Sequence, residues 1–244
     1  MSRAASAAHD DPQSLAARGS RLPSPAVLAV CFAGVGALLA AAAIGAEILE
    51  KPLTVFLEEP AQDGSDVWYA GLVSTAGALL WWSAATVSYV TAWVARERRA
   101  GVAGFWLGAG VLSTVLALDD LFLLHEYVVP THFHASERFV VLGYTIAASG
   151  LVLTYRRYLR TLPWSLALVA LAFFGVSLAI DDVYKGGPTF ERYLFVEEAT
   201  KLLDITAWTL FFVWASRPLL LGLQRPAPRP DAAQSDMAPD RADG

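Results

Sequence analysis

A single cysteine, Cys31, in 244 residues excludes an internal disulfide and any multi-cysteine metal site. Histidine is nearly as scarce: His9, His125, His132 and His134 are the full set, and all precede residue 135. No Gly-rich phosphate loop, His-Glu-x-x-His or Gly-x-Ser-x-Gly occurs, so the common nucleotide, zincin and serine-hydrolase signatures are missing. Charge is thin at 17% of residues, against 55% hydrophobic residues and a mean hydropathy of +0.45. As a soluble globule such a chain would expose too much apolar surface, and the composition predicts an integral membrane protein.

Six apolar stretches reach the ~20 residues needed to cross a hydrocarbon core about 30 Å thick. They are residues 25–49, 67–95, 102–129, 139–158, 162–184 and 193–215. Basic residues are retained on the cytoplasmic side of a membrane. Arg3, Arg18 and Arg21 precede the first segment, and Arg96, Arg98 and Arg99 join the second to the third. Arg156, Arg157 and Arg160 join the fourth to the fifth, and Arg217, Arg225, Arg229 and Arg241 follow the sixth. Thirteen of the 18 basic residues thus fall on one side, which predicts a multi-pass cell-membrane protein with both termini cytoplasmic. The net charge of −5 says little about partners: most acids lie on the outer side, while the inner face is basic and suits anionic headgroups. Membrane lipid is the expected partner, and nucleic acid is not.

Residues 1–22 and 218–244 read as disordered cytoplasmic tails, rich in Ala, Ser, Asp, Pro and Arg without apolar periodicity. Residues 23–217 form the transmembrane domain. The first apolar run, about 25 residues long, exceeds a signal-peptide core and is read as an anchor. Cys31, in the inner half of that run, reads as a packing residue.

Paired carboxylates close two of the segments. Leu-Ala-Leu-Asp-Asp-Leu-Phe at 116–122 recurs as Leu-Ala-Ile-Asp-Asp-Val-Tyr at 178–184, and each copy is followed by a Glu-Arg pair, Glu137-Arg138 and Glu191-Arg192. The expected fold is therefore an all-α six-transmembrane-helix bundle with duplicated helical hairpins, segments three and four against five and six. Sites form where such repeats meet. At 100° per residue Asp119 and Glu126 fall within about 20° of each other on one stripe, with Asp120 and His125 to either side. In the sixth segment Glu197, Lys201 and Asp204 share a face, and Glu198 reaches Lys201 at i+3. Lys201 and Asp204 are the deeply immersed charges, and charges at that depth are costly unless they act or pair.

Two functions follow from this constellation. In the first, the outer cluster holds a divalent metal, Zn, Mn or Fe, through His125, Asp119, Asp181, Asp182, Glu197 and Glu198. Asp119, Asp120, Glu126 and Lys201 would then carry a hydrolase chemistry on a lipid-embedded substrate. In the second, Lys201 and Asp204 with the same acids form a proton or cation relay in a transporter, which at six helices would need a homodimer. A third reading makes the acids and Lys201 a structural ion-pair network that fixes the sixth segment against the third and fifth.

The plainer readings of the individual residues are helix-end acids for the Asp pairs, an interfacial His125 and solvated His132 and His134. For Gly104 and Gly108 the plainer reading is close helix contact. The layout of Asp and His at the outer ends of a small bundle resembles alkaline ceramidase membrane hydrolases in outline. The sixth segment has no His-x-x-x-His, so that family's three-histidine zinc site cannot be assembled and its activity does not transfer.

Overall fold

The computed structural model describes residues 22–58, 67–98, 100–134, 136–183 and 190–222. Most of both predicted tails lies outside these residues. Every regular element among them is helical. In chain order they are α1 (Pro25–Leu49), α2 (Thr54–Leu57), α3 (Leu72–Glu97), α4 (Ala103–Phe122) and a π-helical turn (Leu124–Val128). There follow α5 (Val129–Phe133), α6 (Glu137–Thr154), α7 (Arg156–Leu159), α8 (Trp164–Val183) and α9 (Phe190–Leu221).

Local chemistry sets the boundaries. Ser24 caps α1 by accepting from the Val27 N–H at 3.4 Å, with Pro25 in the first turn where its missing N–H costs nothing. The helix ends as Glu50 turns left-handed at φ 52°, and the Lys51 N–H closes on the Ala46 carbonyl at 3.0 Å. Gly71, also left-handed at φ 61°, opens α3, and its N–H bonds the Val55 carbonyl at 2.9 Å, tying α2 to the start of that helix. Ser136 caps α6, placing Glu137 in its first turn, where a carboxylate complements the helix dipole.

Among the described residues four helices, α1, α3, α4 and α6, are long and apolar enough to cross a membrane by length and composition. An apolar run, Trp164–Ile180, forms most of α8. By contrast α9 is 32 residues long yet interrupted by Glu197, Glu198, Lys201 and Asp204. It continues through Pro218 to Leu221, past the predicted domain boundary at 217.

The core forms where α9 packs against α3 and α8, and α3 against α4. Alanines make this close: Ala84, Ala85, Ala95, Ala109 and Ala207 have no exposed surface. One apolar cluster centres on Phe105, Trp106, Phe211 and Phe212, toward the arginine-bearing ends of the helices. A second, with Val35, Phe56, Leu57 and Val73, fills the opposite end. Hydrogen bonds cross between helices at mid-depth, from Trp208 Nε1 to Ser113 Oγ at 3.1 Å and from Thr209 Oγ1 to the Leu80 carbonyl at 3.0 Å. In a membrane each such bond contributes roughly 0.6 kcal/mol. Cys31 packs at the rim of the first cluster. Among the helices of membrane length the outlier is α6, which buries no residue at all.

Candidate functional site

The third predicted segment does not run helical to residue 129. It stops at Phe122 because Leu123 adopts a left-handed conformation, φ 52°, with its N–H bonded to the Asp119 carbonyl. For a residue with a side chain that conformation costs about 1–2 kcal/mol. The Leu123 side chain is buried, and its carbonyl accepts from the Tyr127 and Val128 N–H groups at 2.9 and 3.1 Å. These contacts offset the strain. The stripe drawn through Asp119 and Glu126 therefore does not exist as a helix face, and the Glu126 side chain lies outside the described residues.

What the break creates is a contact that a continuous helix forbids. Residues 119 and 125 would sit about 120° apart on an unbroken helix. Here the His125 backbone N–H donates to Asp119 Oδ1 at 2.9 Å and its ring Nδ1 lies 2.6 Å from Asp119 Oδ2. Tyr144, from α6, donates its hydroxyl to Asp119 Oδ1 at 3.0 Å. Both carboxylate oxygens are thus engaged inside the protein. Asp119 is buried, while the His125 side chain keeps 26% of its surface exposed. A π-turn of this kind is a common way to re-aim a functional side chain.

Asp120, one residue on and so about 100° around the helix, faces the other way. Its Oδ1 lies 2.7 Å from Lys201 Nζ, which is also 3.6 Å from Glu198 Oε1. Asp204, 3% exposed and one turn deeper on α9, lies within electrostatic reach of Asp120. Gly77 of α3 makes room for this cluster: a Cβ there would stand 3.5 Å from Asp120 Oδ2 and 3.1 Å from Ile205 Cδ1. The space around Lys201, bounded by Ser74, Gly77, Leu202 and Ile205, has no volume for a water molecule.

Among the described residues the sequence-predicted side chains make two sets of contacts. Asp119 meets His125, and Asp120 and Glu198 meet Lys201. Glu197 is half-buried and uses its backbone carbonyl to accept from Thr200 Oγ1 at 2.8 Å. His132 bonds the Val128 carbonyl through Nδ1 at 3.1 Å, and both it and His134 are exposed. The side chains of Asp181 and Asp182 lie outside the described residues, though their backbone ends α8. Among the described residues no three His, Cys, Asp or Glu side chains converge as a metal site. Tyr144 was not anticipated. In the sequence it is one more aromatic in an apolar run, and only the fold brings it to Asp119.

All-helical structure with several helices long and apolar enough to span a membrane marks a helical membrane protein. Within that class the chain belongs to the family described as Domain of unknown function (DUF8692), whose model matches residues 20–215. No curated protein and no solved structure matches the chain.

Proposed function

We propose that the protein is a multi-pass cell-membrane enzyme, a metal-dependent hydrolase, that uses His125 at the extracytoplasmic boundary to act on a lipid-embedded substrate. The carrying observation is the 2.6 Å contact between His125 Nδ1 and Asp119 Oδ2. A carboxylate on Nδ1 fixes the ring's orientation and tautomer and makes Nε2 the more basic nitrogen, the arrangement used both for proton transfer and for metal ligation. In this reading Asp119 positions His125 instead of binding metal itself, because its two oxygens already accept from His125 and Tyr144. A Zn, Mn or Fe ion held by Nε2, with Asp181, Asp182 or Glu197 among its carboxylates, would supply an activated water. Partial exposure of His125 at a helix end suits a substrate arriving within the bilayer. Six spans, duplicated hairpins and cytoplasmic termini belong to the same reading, supported by the basic asymmetry and the repeated Asp pairs.

Metal analysis of detergent-purified protein tests this directly. Near-stoichiometric Zn, Mn or Fe, lost in His125→Ala, is the expected result. Metal-free protein that also fails to hydrolyse membrane lipids would overturn it.

A second reading, a proton or cation relay, draws on Asp204 lying one turn below the Lys201–Asp120 pair. It requires Lys201→Met and Asp204→Asn to abolish proton-coupled flux in reconstituted vesicles. If both variants lower thermal stability alone, the cluster is the structural network that ties α9 to α4.

A further inference from the structure

We propose that the groove between α4 and α6 seats one hydrocarbon chain of an anionic phospholipid, its headgroup held by Arg156, Arg157 and Arg160. This proposal stands apart from the reading of His125, since it concerns the opposite end of the same helix pair.

The two helices touch at only a few places. Leu151 and Tyr155 lie over glycines of α4: a Cβ on Gly108 would stand 2.7 Å from Leu151 Cδ1, and one on Gly104 would meet the Tyr155 hydroxyl. At the far end Tyr144 reaches Asp119. Between these contacts lies a groove of about 550 Å³, bounded by Leu107, Val111, Val115, Ala147 and Gly150 among others. The lining is apolar along its length, and its polar groups sit at the two ends, Tyr144 at one and Thr154 with Tyr155 at the other.

Size selects the occupant. From Gly104 to Val115 the groove follows eleven residues of helix, about 16 Å at 1.5 Å each, or roughly half of a 30 Å hydrocarbon core. That is the depth of one leaflet and so of one lipid chain.

Charge selects the headgroup. Immediately beyond Tyr155 in the chain, Arg156, Arg157 and Arg160 are all exposed. None of the three pairs with an acid among the described residues. Basic side chains just outside a hydrocarbon region attract anionic headgroups by about 1 kcal/mol each. A chain in the groove and a phosphate on the arginines would together supply the packing that α6, which buries nothing of its own, otherwise lacks.

The test is thermal unfolding of the full-length protein in mixed micelles doped with phosphatidylglycerol, phosphatidylcholine or soluble glycerol phosphate. Phosphatidylglycerol should raise Tm by roughly 3–5 °C, the shift expected when a ligand reaches about ten times its Kd. Phosphatidylcholine should do clearly less, and glycerol phosphate nothing. The triple variant Arg156→Gln, Arg157→Gln, Arg160→Gln should lose the preference for phosphatidylglycerol. Gly150→Leu, placed where a Cβ meets no atom within 4 Å, should fill the groove and remove the response to both lipids. Native mass spectrometry should show one phosphatidylglycerol adduct on wild-type protein and none on Gly150→Leu.

Equal stabilisation by the two lipids, or an unchanged response in Gly150→Leu, would overturn the proposal. A response to glycerol phosphate alone would overturn the chain site. A wild-type dimer that Gly150→Leu converts to a lipid-indifferent monomer would make a second copy the occupant and overturn it as well.

Discussion

His125 touches Asp119 twice, through its backbone N–H at 2.9 Å and through ring Nδ1 at 2.6 Å, although six residues separate them. The left-handed Leu123 makes this possible, and the double contact fixes both the turn and the ring. Asp119→Asn should therefore disturb both. Charge-assisted hydrogen bonds are worth about 1.5–3 kcal/mol, so a stability loss of about 2 kcal/mol is expected. Nitrogen NMR of His125 should show the Nδ1-protonated form in wild type and a mixture of tautomers in the variant. An unchanged tautomer would remove Asp119 as the positioning group.

The Lys201–Asp120 pair predicts a thermodynamic cycle. Lys201→Met leaves buried carboxylates without their ammonium and should cost about 3 kcal/mol, and Asp120→Asn should be similarly harmful. Combined, the two substitutions should recover part of the loss, because the charge of Asp120 is gone while the buried Glu198 still lacks its ammonium. Thermal unfolding of the four proteins measures the coupling, and strict additivity would mean that the pair contributes nothing.

Gly77 is needed for the approach of α9 to α3. Gly77→Val would press on Ile205 Cδ1, 3.1 Å from the first added atom, and crowd Asp120 as well. Overpacking of this kind costs about 1–3 kcal/mol. A loss of that size in thermal unfolding is expected, whereas Gly36→Ala, in α1 with nothing within 4 Å of its Cβ, should be neutral within about 0.5 kcal/mol.

At the end of α1, Glu50 holds φ 52°, a conformation that glycine adopts without strain. Glu50→Gly should stabilise by about 0.5–1 kcal/mol, seen as a Tm increase of a few degrees. A decrease would mean that the Glu50 side chain makes a contact worth more than the backbone strain.

Topology follows from the basic asymmetry. Reporters fused after Arg99, Arg160 and Arg217 should read as cytoplasmic, and those at Asp63, Thr131 and Gly187 as external. An external signal at Arg160 would remove the six-span arrangement and place Arg156, Arg157 and Arg160 in the opposite leaflet.

The helices themselves were legible in the sequence. Apolar runs of membrane length, Ser24 before Pro25 and Ser136 before Glu137 are local features, and local features decide where a helix begins. That Lys201 would meet an acid was legible too, since Glu198 lies three residues away on the same helix. The sequence could not say which carboxylate Lys201 would meet. That depended on the rotation of α9 against α3 and α4, fixed by Gly77, Ala84 and Ala207 letting the backbones approach. Nor could periodicity find the His125 contact. A helical wheel assumes an unbroken helix, and Leu123 breaks it without glycine or proline to announce the stop. Sequence alone thus determined that the protein is a helical membrane bundle with acids, a histidine and a lysine near one end. Tertiary structure alone decided that two adjacent aspartates serve different partners, because successive residues on a helix point about 100° apart and only packing says what waits in each direction.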